Sequence, residues 1–222
     1  MRKLSFDIET VWTYLPVLLK GALVTIEISV ITLVIATIAG LFLALLRISD
    51  NKLVRTLAAT YVWVFRGIPQ LLILFFVYYA FPSLGLKLPA FTAAIIGLSI
   101  TATAYKCEIF RSGIQAIPKG QIESAIAIGM NYGLIMRRII IPQAIRIVIP
   151  PYINNAILML KNSSLVAVIT VADLMLVSQQ IYSATYKPVE ILGLAGVLYL
   201  AMTSVLMIFQ IWAEKKVSYY TN

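Results

Sequence analysis

The residues of this chain that could do chemistry are few, and they are suited to recognition more than to reaction. There is no histidine and Cys107 is the lone cysteine, which rules out a disulfide within the chain and argues against a His/Cys metal site. No Gly-x-x-x-x-Gly-Lys-Ser/Thr phosphate loop occurs either, so nucleotide hydrolysis by this chain alone is disfavoured and no catalytic residue is assigned. What remains is a set of amides, hydroxyls and one ammonium in apolar sequence. Asn155, Met159, Asn162 and Ser163 stand at offsets of 4, 7 and 8, on one face of a regular helix, with Lys161 beside them. Thr101 lies at the hydroxyl-rich end of another apolar run, between Ser99 and Thr103. Uncharged donors and acceptors in such surroundings either line a polar path or hydrogen-bond a neighbouring helix, and the residues alone leave both open. Lys161 could neutralise a carboxylate, offset an acid of another chain, or extend to the membrane surface.

Positioning these groups requires elements that cross a bilayer. With 61% hydrophobic and 12% charged residues, the composition is that of a membrane protein. Its 222 residues leave no stretch for a separate soluble domain, so an energy-using module is expected on another chain. Met1 to Lys20 mixes charges with Trp12 and Tyr14 and reads as an interfacial segment more than as a cleavable signal. Charge-free runs then predict an all-α chain of five transmembrane helices at about 15–46, 61–82, 88–107, 143–169 and 188–212, in a single domain covering 1–222. Pro69 can start or kink the second. The fourth is awkward: only 14 uncharged residues separate Arg146 from Lys161 and 11 separate Lys161 from Asp173. Neither window crosses ~30 Å of hydrocarbon, so that span must carry Lys161, turned towards a cavity or a neighbouring subunit.

The net charge of +9 follows the span ends and gives no reason to invoke nucleic acid. One side of a five-span chain collects twelve cations: Arg47, Lys52, Arg55, Arg66, Lys106, Arg111, Lys119, Arg137, Arg138, Arg146, Lys215 and Lys216. By the positive-inside rule that side is cytoplasmic, which places the N-terminus outside and the C-terminus inside. On the same side lies Glu123-Ser-Ala-Ile-Ala-Ile-Gly129, preceded by the turn formers Pro118, Lys119 and Gly120. A short helix over about 120–129 is expected, stopped by Gly129, with Glu123 in its first turn near the positive end of the dipole. Ser124, Ala125 and Ala127 give it a slim surface suited to insertion into a groove.

Glu123, Ala125 and Gly129, followed after nine residues by Ile139 and Pro142, resemble the signature Glu-Ala-Ala, three residues, Gly, nine residues, Ile-x-Leu-Pro of the transmembrane subunits of ATP-binding-cassette importers. Ser124 and Ile141 are the departures. Arg66-Gly-Ile-Pro69, Glu108-Ile-Phe-Arg-Ser-Gly-Ile-Gln115, Pro142-Gln-Ala144, Lys161-Asn-Ser-Ser-Leu-Val166 and Ala172-Asp-Leu174 are similar to elements of the polar amino-acid branch of type I importers. The resemblance implies a permease in the bacterial cytoplasmic (inner) membrane, paired with an identical or related permease. It also implies two cytoplasmic ATPase subunits that bind ATP and Mg, and an extracytoplasmic solute-binding protein that delivers substrate. This chain itself would bind no cofactor and no metal. The 120–129 segment becomes the coupling helix, with Glu123, Ser124, Ala125 and Gly129 assigned to ATPase coupling, Gly129 through its backbone geometry. Thr101, Asn155, Met159, Lys161, Asn162 and Ser163 become candidates for the substrate path, and the amides at 155 and 162 argue weakly for a neutral or other polar amino acid. The alternative is an ion-gradient-driven secondary transporter, although Glu27 is the sole candidate acid for coupling and five spans do not divide into equal repeats.

Overall fold

The computed structural model describes residues 7–218 of the chain. Arg2 and Lys3, counted in the interfacial segment, lie outside these. The described residues contain helices and no strand: α1 (Ile8–Arg47), α2 (Lys52–Gly67), α3 (Gln70–Phe75), α4 (Ala90–Gln115), α5 (Lys119–Ala127), α6 (Tyr132–Ile135), α7 (Ile141–Asn162), α8 (Leu174–Thr185) and α9 (Pro188–Ser218). Tighter and wider turns extend three of them: Phe76–Ala80 and Phe81–Leu84 follow α3, Met136–Ile140 joins α6 to α7, and Ser163–Ile169 prolongs α7.

Local chemistry sets the boundaries. The Asn51 side chain caps α2 by accepting from the amides of Leu53 and Val54 at 3.0 and 3.3 Å. That helix stops because Ile68 precedes a proline, which disfavours helical backbone there, and Ile68 is extended at φ −92° and ψ 135°. The stretch expected as one span at 61–82 is therefore two pieces, Lys52–Gly67 and Gln70–Leu84, bent by 102°. Near the fourth expected span, Pro150 and Pro151 sit inside α7, and the chain bends by 54° between Tyr132–Ile169 and Leu174–Thr185. Asp173 caps α8 by accepting from Leu176 N at 2.9 Å. Three helices, α1, α4 and α9, are long and apolar enough to cross a membrane, and up to five spans result if each bent pair is one.

The described residues form two compact units, and several helices contribute to both. The first comprises residues up to Leu33, Pro69–Ser99 and Ile157–Leu206. Its core joins Leu18 and Ala22 of α1, Leu174 and Ile181 of α8, and Ile191 and Ala195 of α9. A Cβ on Gly21 would lie 3.0 Å from Leu174 Cα, so glycine permits the close approach. There Thr25 Oγ1 donates to Gly21 O at 3.2 Å and accepts from Leu174 N at 3.1 Å. At the chain's start Lys187 Nζ donates to Asp7 and, at 2.7 Å, to Thr10 Oγ1. The Lys187 ammonium, then the Thr10 hydroxyl and amide, hold the partly exposed Asp7 carboxyl down to about 2.

The second unit comprises Val34–Ile68, Ile100–Ala156 and the residues from Met207. Ala44, Val62 and Cys107 form one cluster, with Leu43, Tyr61 and Phe110 packed on it. Tyr61 Oη donates to Ile100 O at 2.9 Å, and Thr37 and Tyr152 hydroxyls pair at 2.7 Å. Ile117, Ala125, Ile135 and Ile140 form a second cluster beneath α5.

Candidate functional site

The α5 segment is held by both ends and one face. Pro118, with ψ 130°, turns the chain into it, and Gln143 Nε2 of α7 donates to Gln121 Oε1 at 2.6 Å. At its far end Met130 N reaches Ala125 O at 3.0 Å and Gly129 N reaches Ile126 O at 2.9 Å. This paired closure requires a left-handed residue, and Gly129 supplies it at φ +80°. A Cβ on Gly129 would meet nothing within 4 Å, so its constraint is backbone angle and not space.

Two expectations about α5 change. The helix begins at Lys119, which places Glu123 in its second turn, beyond the reach of the N-terminal dipole. Ala125 is 3% exposed and packs inward against Ile117, Ile135 and Ile140, so it seats the helix on its own chain and does not face outward. Glu123, Ser124, Ala127 and Gly129 are exposed. Beside them stand Ile126, Ile128 and Tyr132, exposed by 60%, 79% and 71%, which the small-residue reading passed over. Their signal was present: isoleucines alternate with the small residues from Ala125 to Gly129.

The intramembrane candidates divide between the units. Thr101 and Asn155 belong to the second, and Met159, Lys161, Asn162 and Ser163 to the first. Thr101 Oγ1 and Asn155 Oδ1 are buried without a hydrogen-bond partner among the described residues. Such an atom costs about 1–3 kcal/mol unless water, solute or a partner chain satisfies it. Helix α7 is regular as far as Asn162, yet the predicted face straddles a boundary: Met159 and Ser163 are buried, whereas Asn162 and Lys161 are exposed. The Ser163 hydroxyl donates to Leu160 O at 2.7 Å, which removes its proton from any solute. Asn162 Nδ2 donates to Gln70 Oε1 at 3.2 Å, tying α7 to α3.

Lys106 corrects the charge count. Taken as a loop cation because it ends a charge-free run, it lies within α4, which continues to Gln115, and its side chain is wholly buried. Its Nζ donates to Tyr152 O at 3.1 Å and stands 3.4 Å from the Tyr152 ring centroid. Opposite it, a Cβ on Gly40 would come within 2.6 Å of Lys106 Cβ. The lysine thus joins α1, α4 and α7. Two residues on, Glu108 gathers three guanidiniums: Arg111 at 2.7 Å, Arg47 at 3.5 Å and Arg66 at 3.9 Å. The other eleven cations of the predicted cytoplasmic side keep its excess over the four acids there, Asp50, Glu108, Glu123 and Glu214.

Comparison with known proteins accounts for this arrangement. Residues 11–219 match the family described as binding-protein-dependent transport system inner membrane component. The chain is 40% identical over 205 residues to the probable amino-acid ABC transporter permease protein YckA of Bacillus subtilis, covering 92% of this chain and 91% of that one. It is 36% identical over 214 residues to the arginine transport system permease protein ArtQ of the same organism, covering 96% and 98%. Among solved structures, the crystal structure of an amino acid ABC transporter with histidines superposes with a TM-score of 0.90 at 35% identity, covering 96% of this chain and 100% of that one. The ion-gradient alternative finds no support among these relatives. The chain belongs to the binding-protein-dependent inner membrane component family and is the non-catalytic permease subunit of an ATP-binding-cassette importer, whose ATPase is a separate subunit.

Proposed function

We propose that this permease forms the path for a polar amino acid handed over by an extracytoplasmic solute-binding protein, and that α5 receives the ATPase movement that drives it. The observation that carries the reading is the exposed stretch from α5 to the start of α6, where Ile126 of α5, Ile128 at its end and Tyr132 of α6 stand exposed with Glu123 and Ser124, while the buried side of α5 is anchored by Ala125. Apolar side chains held outward on a rigid support are what a partner's groove can bury, whereas an exposed Glu123 ion pair adds only ~0–1 kcal/mol. Five spans, with α2–α3 and α7–α8 each counted as one bent span, put α5 on the cation-rich cytoplasmic side. Two ATPases and a second permease complete the complex in the bacterial inner membrane, and ATP and Mg are held by the ATPases.

The amino-acid assignment rests on the relatives, whose names include arginine, octopine and probable glutamine permeases. Within this chain Thr101 and Asn155 have the stronger claim to a solute, because their buried oxygens lack partners among the described residues. Met159 would line the path by contact alone, Lys161 and Asn162 offer exposed donors, and Ser163 shapes it through backbone bonding. The test is the assembled transporter in proteoliposomes with its binding protein and a panel of amino acids. Ile128→Asp is expected to reduce ATP-dependent uptake at least tenfold while the complex still inserts. Uptake and binding-protein-stimulated ATPase that both survive Ile126→Asp combined with Ile128→Asp would remove α5 from coupling. Uptake driven by a proton or sodium gradient without ATP would overturn the function itself.

A further inference from the structure

We infer that a cationic hollow at the C-terminal ends of α1 and α4, closed on its third side by one face of α2, is a binding site for a phosphate group. The hollow measures about 500 Å³, and its lining includes Arg47, Arg55, Thr56, Trp63, Arg111 and Gln115, with no acidic residue among the walls. The hydrogen bonds around it leave donors over. Arg111 commits each of its three nitrogens once: Nε and Nη2 donate to Glu108 and Nη1 donates to Gln115 Oε1, which leaves one N–H on each Nη. Because Gln115 accepts there with its oxygen, its amide N–H groups remain to donate. Glu108 must serve Arg47 and Arg66 as well, so one carboxylate faces three guanidiniums. Arg55 has no acid partner among the described residues. Thr60 spends its hydroxyl proton on Thr56 O at 3.0 Å, and the Thr56 hydroxyl and the Trp63 N–H remain.

A concave wall of planar guanidinium, amide, hydroxyl and indole donors around uncompensated positive charge matches the tetrahedral oxygens of a phosphate. Cations needed only to orient a span would be served by any placement near its end; they need no shared hollow of donors. The flank of α2 points to the source. Leu53, Leu57 and Trp63 are exposed by 68%, 63% and 77%, and a helix that combines basic residues with exposed leucine and tryptophan sits at headgroup depth. An anionic phospholipid presents its phosphate there, and a free phosphate would reach the same donors from solution.

The test uses the assembled transporter in phosphatidylcholine nanodiscs titrated with phosphatidylglycerol, with bound lipid counted by native mass spectrometry. A parallel arm titrates inorganic phosphate into the lipid-depleted complex. Saturable binding of one phosphatidylglycerol per copy of this chain is expected, weakened at least tenfold by Arg55→Gln with Thr56→Val. Lys52→Gln, which removes the same charge from the same helix outside the hollow, is expected to leave it unchanged. Trp63→Phe, which keeps a ring and removes the N–H, should weaken binding in the same direction without disturbing assembly. Phosphate binding that these variants weaken, with no gain from the lipid, retains the site and assigns its source to solution. Absence of saturable binding in both arms, or equal weakening by Lys52→Gln, overturns the inference.

Discussion

Gly129 and Ala125 are both small residues of one signature, and they are small for different physical reasons. Gly129 is needed for its φ of +80°, with open space where a side chain would go, whereas Ala125 is needed for its size, since it is 3% exposed among isoleucines. A left-handed non-glycine residue costs about 1–2 kcal/mol, asparagine being the best tolerated. Gly129→Asn is therefore expected to keep near-normal uptake and Gly129→Val to impair it while the complex still assembles; equal uptake by both variants would remove the backbone requirement. Ala125→Leu should instead lower the thermal midpoint of the complex, as overpacking of a seated position costs about 1–3 kcal/mol. The spacing Glu123, Ala125, Gly129 was legible in the sequence, but the direction each residue faces was not. Direction depends on Ile135 and Ile140, which follow the helix in the chain and pack under it.

Helix identity was legible wherever a run of apolar residues was long, and it was misread where a charge ended the run. Lys106 closes the apolar stretch that begins at Leu88, so a count of charges ends the span there, although α4 continues to Gln115. A buried amine is tolerable at that point because Tyr152 offers both its carbonyl and its ring face. Neither is visible in the sequence, which separates the two residues by 46 positions. The break at Pro69 shows the opposite case: the proline was legible as a possible kink, but the size of the bend, 102°, was not. The α1–α4 contact gives a direct test. A methyl group on Gly40 would lie 2.6 Å from Lys106 Cβ and 3.2 Å from Cys107 N and Thr103 O, atoms that cannot swing away. Gly40→Ala is expected to cost about 1–3 kcal/mol and to lower the thermal midpoint of the purified complex. Gly193→Ala, where a methyl meets nothing within 4 Å, should not. Equal midpoints for the two variants would rule out the close contact.

For the whole molecule the open physical question is what the bent pairs do in a bilayer. If Lys52–Gly67 and Gln70–Leu84 form one span, the turn near Leu86 emerges opposite the turn at Asn51. If they form a re-entrant loop, both turns share a side. The cation excess around Arg47, Arg55, Arg137 and Arg138 favours crossing by α2–α3, because these segments share a side only when that bent pair spans once. A cysteine-free background is simple to make, since Cys107 is the lone cysteine and is buried. In that background Asp50→Cys, Leu86→Cys, Ser124→Cys and Tyr186→Cys place single thiols at exposed positions in four different connections. The expected outcome in spheroplasts is labelling of residues 86 and 186 by a membrane-impermeant maleimide, and labelling of residues 50 and 124 only after permeabilisation. Residue 86 reacting with the same pattern as residue 50 would make α2–α3 a re-entrant loop and leave four crossings. The two termini would then share a side, and the coupling role of α5 would require the remaining spans to be reassigned.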